Sequence, residues 1–246
     1  MTPDLLLIGD GRLARHLARY FEQLGLGYVA WSRRAYAEGR CDDLGSLVHA
    51  RTRALLAISD AAIEPFVLAH PRLAHVERVH FAGSLVTPLA AGAHPLFSFA
   101  DTFYELETYR RIPFVIDRGS PRLTALIPGL PNPFVVIDPG QRPRYHAMCV
   151  LAGNFSTLLW RKLFVEFDGE LGLAREHALP FLESITRGLA GPGAPLSGPL
   201  SRGDRVTIAR NLAALRGDPF QQVYRAFVLA FDEEQRRSAL ACEVGR

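Results

Sequence analysis

The sequence predicts an α/β protein in which a mainly parallel sheet is followed by an all-α C-terminal domain. Two observations indicate this fold class. Short, unbroken apolar runs alternate with helical patterns up to about residue 140, as expected for parallel strands that are covered on both faces. Beyond Pro139-Gly140 the apolar spacing is helical. We therefore expect one domain over residues 1–140 and a second over 141–246.

The first strand, turn and helix carry a dinucleotide-binding pattern. Leu5–Ile8 is an apolar run, and Gly9-Asp10-Gly11-Arg12-Leu13-Ala14 follows it. In a G-x-G-x-x-A turn the first glycine allows a tight bend, the second lets the backbone approach a pyrophosphate, and the small residue lets the helix pack on the strand. An amphipathic helix follows up to Leu24, with Gly25 at its end. Because N–H groups at a helix N-terminus favour an anion, Gly9 to Leu13 predict the pyrophosphate site of a Rossmann-type domain.

The end of the second strand favours NADP over NAD. Tyr28–Trp31 predicts this strand, and Ser32-Arg33-Arg34 comes directly after it. NAD-binding domains usually have an acidic residue here that binds the ribose 2′-hydroxyl. A hydroxyl and two guanidinium groups suit a 2′-phosphate instead. The alternative is that Arg33 and Arg34 are solvated loop residues.

The third strand, predicted at Ala54–Ile58, ends in Ser59-Asp60. Ligands of open α/β sheets bind at the carboxyl ends of the strands, so we expect Ile58, Ser59 and Asp60 to line the cofactor crevice. The side chain of Asp60 is expected to cap the helix over residues 61–69.

The rest of the chain predicts short strands first and helices afterwards. Further strands are expected near residues 78–82, 92–97, 114–116 and 134–137, and helices over 143–167, 173–189, 204–215 and 219–236. Residues 191–204 are rich in glycine and proline, which is typical of a functional loop or of a linker.

Composition excludes several classes of protein. The net charge of +3 is too small to indicate binding to nucleic acid or to a membrane surface. Cys41, Cys149 and Cys242 are widely spaced and form neither a disulfide framework nor a zinc-ligand pattern, so no metal site is expected. Neither a signal peptide nor a membrane span is apparent. We expect a cytoplasmic protein.

The order of motifs resembles the 6-phosphogluconate dehydrogenase-like group of Rossmann enzymes, which includes the pyrroline-carboxylate, ketopantoate and prephenate-type dehydrogenases. It resembles more closely bacterial proteins that join a Rossmann-like NADP domain to a C-terminal helical domain of unknown function. Besides the glycine turn, the matching segments are residues 80–84, 94–99, 145–147, 153–155 and 198–204. The resemblance implies a homodimer formed through the helical domain.

The same resemblance draws attention to four residues at the substrate end: Ser84, His94, His146 and Asn154. In prephenate-type dehydrogenases a Gly-Ser turn and a His-Pro pair flank the reacting carbon, and Gly83-Ser84 and His94-Pro95 are similar. Related reductases carry a Lys or Asn on the long helix, where this chain has Asn154. His146 and Asn154 project about 80° apart on a regular helix, so both can face a crevice between the domains. Each histidine has a structural alternative: a hydrogen bond for His94, and a bond to a loop carbonyl for His146.

The other histidines that the motifs leave out are expected at the surface or at helix ends. These are His16, His49, His70, His75 and His177.

Together these observations predict an NADP-dependent oxidoreductase. It would transfer a hydride between NADP(H) and a small carbonyl, imine or hydroxy compound, with histidine as the proton-transfer group. The alternative is a non-catalytic NADP-binding regulator, which the lack of a lysine in the matching region favours. A methyltransferase would need an acid at the end of the second strand, and Ser32-Arg33-Arg34 argues against it.

Overall fold

The computed structural model describes residues 3–192 and 196–244. The chain divides into two compact units, Met1–Lys162 and Leu163–Arg246. Residues 193–195, inside the predicted glycine- and proline-rich loop, lie outside the described residues, as does the side chain of Cys242. The domain boundary near residue 140 stays a prediction.

A seven-stranded sheet in the order β2-β1-β3-β4-β5-β6-β7 organises the first unit. Its strands are β1 Leu5–Ile8, β2 Tyr28–Trp31, β3 Arg53–Leu56, β4 Glu77–His80, β5 Ala91–Pro95, β6 Phe114–Asp117 and β7 Phe134–Ile137. Neighbouring strands pair in parallel except β5 and β6, where Ala93 lies opposite Ile116 in an antiparallel register. The predicted mainly parallel α/β sheet is therefore confirmed. Since β1 lies between β2 and β3, the winding direction changes at β1, which is where open α/β sheets form a ligand crevice.

Helices cover the sheet and continue through the second unit. They are α1 Arg12–Leu24, α2 Arg33–Ala37, α3 Leu44–Leu47, α4 Asp60–Ala69, α5 Leu106–Arg110, α6 Leu123–Leu126, α7 Arg142–Cys149, α8 Ser156–Asp168, α9 Leu179–Ala190, α10 Arg205–Ala214 and α11 Phe220–Val244. Helices α1, α4 and α10 lie where the sequence predicts them, whereas α9 begins at Leu179 and not at residue 173, and α11 continues beyond residue 236 to Val244. Gly25 ends α1 in a left-handed conformation, with φ of 68°. The short helices α2, α5 and α6 were not predicted, because a single turn leaves too few residues to show a period.

The apolar core lies on both faces of the sheet. Leu5 and Leu7 of β1 belong to one buried cluster with α1, whereas Leu6 and Ile8 belong to a second cluster with α4. All four side chains of β1 are at most 5% exposed. Burial on both faces explains why the strand reads as an unbroken apolar run.

The long helix after the sheet differs from the predicted regular helix. Between α7 and α8 the residues Val150–Phe155 form a π-helix. A π-helix has i to i+5 hydrogen bonds and more residues per turn, so the projected angle between His146 and Asn154 narrows from about 80° to on the order of 10°. The wider turn therefore brings both side chains to one side of the helix.

The second unit is helical. Asp204 caps α10 by accepting a hydrogen bond from the backbone N–H of Thr207 at 3.0 Å, and Arg205 pairs with Asp232 of α11 at 2.9 Å. None of the helices within the described residues has the length and apolar character needed to cross a bilayer.

Candidate active site

The turn after β1 requires glycine at its first position. Gly9 has a φ of 130°, and a Cβ placed on it would lie 2.2 Å from the carbonyl oxygen of Ala57, at the end of β3. Its N–H donates to the carbonyl of Trp31 at 2.8 Å. Only glycine adopts this conformation without strain, so Gly9 lets the ends of β1, β2 and β3 come together.

Gly11 has a different role. It caps α1 in extended conformation with a φ of −70°, which any residue can adopt. A Cβ on Gly11 would meet no heavy atom within 4 Å among the described residues. The first turn of α1 contains no acidic residue, so its N–H groups and the helix dipole are available to an anion.

One cavity of about 760 Å³ lies at this edge of the sheet, and we call it the glycine-turn cavity. It is lined by the turn after β1, by the ends of β2 and β3, and by one side of α4 along its whole length. It brings together ten of the eleven predicted cofactor residues: Gly9, Asp10, Gly11, Arg12, Leu13, Ser32, Arg33, Arg34, Ile58 and Ser59.

Asp60 is the predicted cofactor residue that does not line this cavity. Ser59 is the N-cap of α4, and Asp60 is its first helical residue. The expectation that Asp60 caps the helix is therefore wrong by one position. Its carboxylate stands in the first turn, where it interacts favourably with the helix dipole.

The residues after β2 form the start of a helix and not a loop. Ser32 is the N-cap of α2, and its Oγ accepts a hydrogen bond from the N–H of Ala35 at 3.1 Å. Arg33 and Arg34 begin the helix. The guanidinium of Arg34 pairs with the carboxylate of Asp10 at 3.0 Å, and both side chains are exposed. An exposed pair of this kind contributes about 1 kcal/mol of stability at most. Arg34 can therefore leave Asp10 and bind another anion.

A second cavity of about 1410 Å³ contains three of the four predicted substrate-end residues, His94, His146 and Asn154. We call it the histidine cavity. Arg12 and Leu13 line both cavities, so the two adjoin at the first turn of α1. Ser84 lines neither of them, although it follows Gly83, which contacts His146.

The two histidines of this cavity lie side by side. Their ring centroids are 5.7 Å apart, with the planes nearly perpendicular. Nδ1 of His94 is hydrogen-bonded to the hydroxyl of Tyr145 at 2.8 Å. A Cβ on Gly83 would lie 2.2 Å from Cδ2 of His146, so that imidazole rests on the backbone after β4 and a larger residue there would displace it.

The surroundings of His94 and of its partner Tyr145 keep both side chains uncharged. Burial, together with electrostatic repulsion from His146 and Arg142, lowers the pKa of His94 to about 4. Burial and the neighbouring Cys149 raise the pKa of Tyr145. Both groups are consequently neutral near pH 7, and their hydrogen bond joins two uncharged groups.

The most buried polar group of the site was not found from the sequence. Arg142 is fully buried and pairs with Asp117 at the end of β6. Its guanidinium also donates to the carbonyls of Val115 at 3.2 Å, Ala82 at 3.3 Å and Gly83 at 3.5 Å. It therefore joins the start of α7 to the ends of β4 and β6 and fixes the backbone that supports His146. The position of Asp117 after an apolar strand was the available signal, but nothing in the sequence pairs it with Arg142.

His80, at the end of β4, was also missed as part of this cluster. It is 1% exposed, and its Nδ1 has no hydrogen-bond partner among the described residues. Burial and the charge of Arg142 lower the pKa of His80 to about 4, against the opposing effect of Asp117. A neutral buried histidine next to this ion pair marks the end of β4 as a polar region inside the sheet.

The expectation that His16 lies at the surface is wrong. Its side chain is 2% exposed, and its ring is hydrogen-bonded to the hydroxyl of Tyr109 at 2.7 Å and to the carbonyl of Ala100 at 2.9 Å. These bonds attach the segment after β5 to α1, so His16 is a structural residue next to the histidine cavity.

Comparisons with known proteins agree with this architecture. The family described as "Domain of unknown function (DUF2520)" matches residues 116–230. The search of curated proteins gives no match.

Solved structures resemble nearly the whole chain. A "putative NADP oxidoreductase BF3122" from Bacteroides fragilis is 24% identical, with a TM-score of 0.75 over 94% of this chain and 98% of its own. Protein TM1727 from Thermotoga maritima is 24% identical, with a TM-score of 0.67 over 95% and 99%. A reductive aminase from Aspergillus terreus in complex with NADPH and ethyl levulinate is 16% identical, with a TM-score of 0.64 over 96% and 95%. The chain therefore has a Rossmann-type α/β fold with a helical C-terminal part, as these structures do.

Proposed function

We propose that the protein is an NADP-dependent oxidoreductase that acts on a small carbonyl, imine or hydroxy compound. The observation that carries the proposal is that the glycine-turn cavity adjoins a cavity with two histidines, through Arg12 and Leu13. A hydride donor in one cavity can therefore lie beside a proton donor in the other. The similar structures described as a putative NADP oxidoreductase from Bacteroides fragilis and a reductive aminase from Aspergillus terreus support the same class of reaction.

The residues of the glycine-turn cavity fit NADP(H). The open space at Gly11 and the first-turn N–H groups of α1 suit the pyrophosphate. Arg33 and Arg34 suit the 2′-phosphate, which guanidinium groups bind with paired hydrogen bonds. When bound, NADPH supplies the hydride.

The protein must then supply a proton. In the reductive direction a carbonyl compound, NADPH and a proton give an alcohol and NADP⁺. Because His94 is held neutral, we assign the proton to His146, whose imidazole is fixed against Gly83. His94 and its partner Tyr145 orient the neighbouring ring, and Asn154 offers an amide to the substrate from the same side of the helix.

Turnover of NADPH with a panel of ketones, aldehydes and imines tests the proposal. We expect His146→Ala to lower kcat by about 10²- to 10⁴-fold, the usual contribution of general acid catalysis, while NADPH binds as tightly as before. His75→Ala is the matched control, since His75 is an exposed histidine outside both cavities. If the purified protein binds no NADP(H), or if His146→Ala retains full turnover, the assignment is wrong.

We further propose that the protein is a homodimer formed through its helical domain. The second unit leaves large apolar side chains exposed, among them Ile185 and Leu189 on one face of α9. Contiguous exposed apolar surface is typical of an interface. Light scattering on the purified protein should give twice the chain mass of 27.2 kDa. A monomer at micromolar concentration would contradict this.

A further inference from the structure

The histidine cavity carries positive charge without negative charge. Among the described residues that line it, the charged ones are Arg12, Arg144 and Arg161, and none is aspartate or glutamate. A cavity lined by charges of one sign concentrates ligands of the opposite sign.

The three arginines differ in how far their charges are offset. Arg12 pairs with Asp101 at 3.0 Å and also lines the glycine-turn cavity, so it belongs to the junction between the two cavities. Within the described part of the chain, neither Arg144 nor Arg161 has a carboxylate partner in an ion pair. Their guanidinium groups are therefore available to an anion from solution.

The pKa of His94 agrees with positive charge near this cavity. After burial, the largest causes that lower its pKa are the charges of His146 and Arg142. The guanidinium of Arg142 lies behind the cavity wall at His94, so its positive charge adds there to the charges of Arg144 and Arg161.

The remaining wall is largely apolar. It includes the aromatic rings of Phe97, Phe99 and Phe155, together with Leu96 and Leu158. Apolar walls bury the body of a ligand, and a few charged groups fix its orientation. The combination suits an organic anion and not a small hydrophilic ion.

Position along the helix decides which arginine can contact a small substrate. Arg144 lies two residues before His146, whereas Arg161 lies fifteen residues after it. At about 1.5 Å per residue, Arg161 is roughly 20 Å from His146 along the helix, which is too far for one small molecule to reach both. Of the two, Arg144 is the one that lies within a single helical turn of His146 and lines the same cavity, and Arg161 adds to the positive field.

We propose that the substrate is a carboxylate with an apolar, aromatic-sized body and that Arg144 binds the carboxylate. This inference rests on the proposed function, because it places the substrate in the histidine cavity. A planar guanidinium binds a carboxylate through two parallel hydrogen bonds, and the phosphates of the cofactor have their own cavity at the glycine turn.

Calorimetric binding of unreactive ligands to the full chain tests this without any turnover. The probes are hydrocinnamate, its neutral amide hydrocinnamamide, and phenethyl phosphate. We expect hydrocinnamate to bind at least tenfold more tightly than the amide, and Arg144→Met to remove most of that difference. Arg161→Met should have a smaller effect, and Arg216→Met, an exposed arginine of the second unit, should have none.

The outcomes separate this inference from the proposed function. Three results would each overturn the inference, even if the protein reduces neutral ketones with NADPH. They are equal binding of hydrocinnamate and its amide, tighter binding of phenethyl phosphate than of hydrocinnamate, and equal effects of Arg144→Met and Arg216→Met on hydrocinnamate binding. If the carboxylate binds through Arg144 but NADP(H) does not bind, the proposed function fails and the anion site remains.

Discussion

Arg142 should be among the most sensitive positions of the first unit, because it is a fully buried charge whose partner is Asp117. Replacing it with methionine keeps much of the side-chain volume but removes the charge. It leaves the Asp117 carboxylate, 18% exposed, without its partner. The carbonyls of Val115, Ala82 and Gly83 lose their guanidinium donor.

Breaking a buried ion pair in this way costs about 3–5 kcal/mol. Since Asp117 keeps some access to water, we expect the lower end, about 3 kcal/mol of unfolding free energy. For a domain of this size each kcal/mol lowers Tm by about 2–4 °C, so Arg142→Met should lower Tm by about 6–12 °C. Urea denaturation followed by circular dichroism measures the free energy, and a thermal melt measures Tm.

Arg118 provides the matched control. It pairs with Asp138 on the same unit, but both side chains are more than half exposed, and such pairs contribute less than about 1 kcal/mol. The double variant Arg142→Met with Asp117→Leu should be more stable than Arg142→Met alone, because no charge is then left unpaired. If Arg142→Met and Arg118→Met lower the free energy of unfolding equally, the buried contacts of Arg142 do not stabilise the site.

Two further predictions follow from single residues. Gly9→Ala should prevent stable folding, since its Cβ would lie 2.2 Å from a carbonyl oxygen. Gly11→Ala should lower the free energy of unfolding by less than about 1 kcal/mol and weaken NADPH binding at least tenfold. Melting curves and a binding titration of both variants check this, and equal stability of the two variants would contradict it. The pH dependence should reflect His80: its folded pKa of about 4 lies below its ordinary value of 6.5, so the unfolded chain takes up a proton first and stability falls as the pH drops from 6.5 towards 4. Denaturation at several pH values should show that the unfolding free energy of His80→Phe falls less steeply between pH 6.5 and 4 than that of the unaltered protein. The same steepness in both proteins would show that His80 does not cause this loss of stability.

The strand, turn and helix at the start of the chain could be predicted because their signals are local. Apolar runs buried on both faces, a glycine that must have positive φ, and a periodic helix ending at Gly25 are each visible within a few residues. Parallel strands also place their carboxyl ends at one edge, so the residues after β1, β2 and β3 could be grouped without knowing any contact.

The histidine cavity was predicted only in part, because its other features depend on contacts between distant residues. The link between Arg142 and Asp117 spans 25 positions, and the hydrogen bond between His16 and Tyr109 spans 93. The π-helix that aligns His146 with Asn154 gives no periodic signal in six residues. Burial, which decides the charge of His80 and His94, follows from packing and not from composition.

We expect the glycine-turn cavity to bind NADP(H), with Arg33 and Arg34 on the 2′-phosphate. Two charge-assisted contacts contribute about 1.5 kcal/mol each, and Arg34 must leave an exposed pair with Asp10 that is worth about 1 kcal/mol at most.

Parallel fluorescence titrations with NADPH and NADH measure this preference. We expect NADPH to bind about 30- to 100-fold more tightly than NADH. The double variant Arg33→Ala with Arg34→Ala should reduce that preference to about threefold or less. If the unaltered protein binds the two nucleotides equally, Arg33 and Arg34 do not bind a 2′-phosphate. If it binds neither, the glycine-turn cavity is not an NADP(H) site.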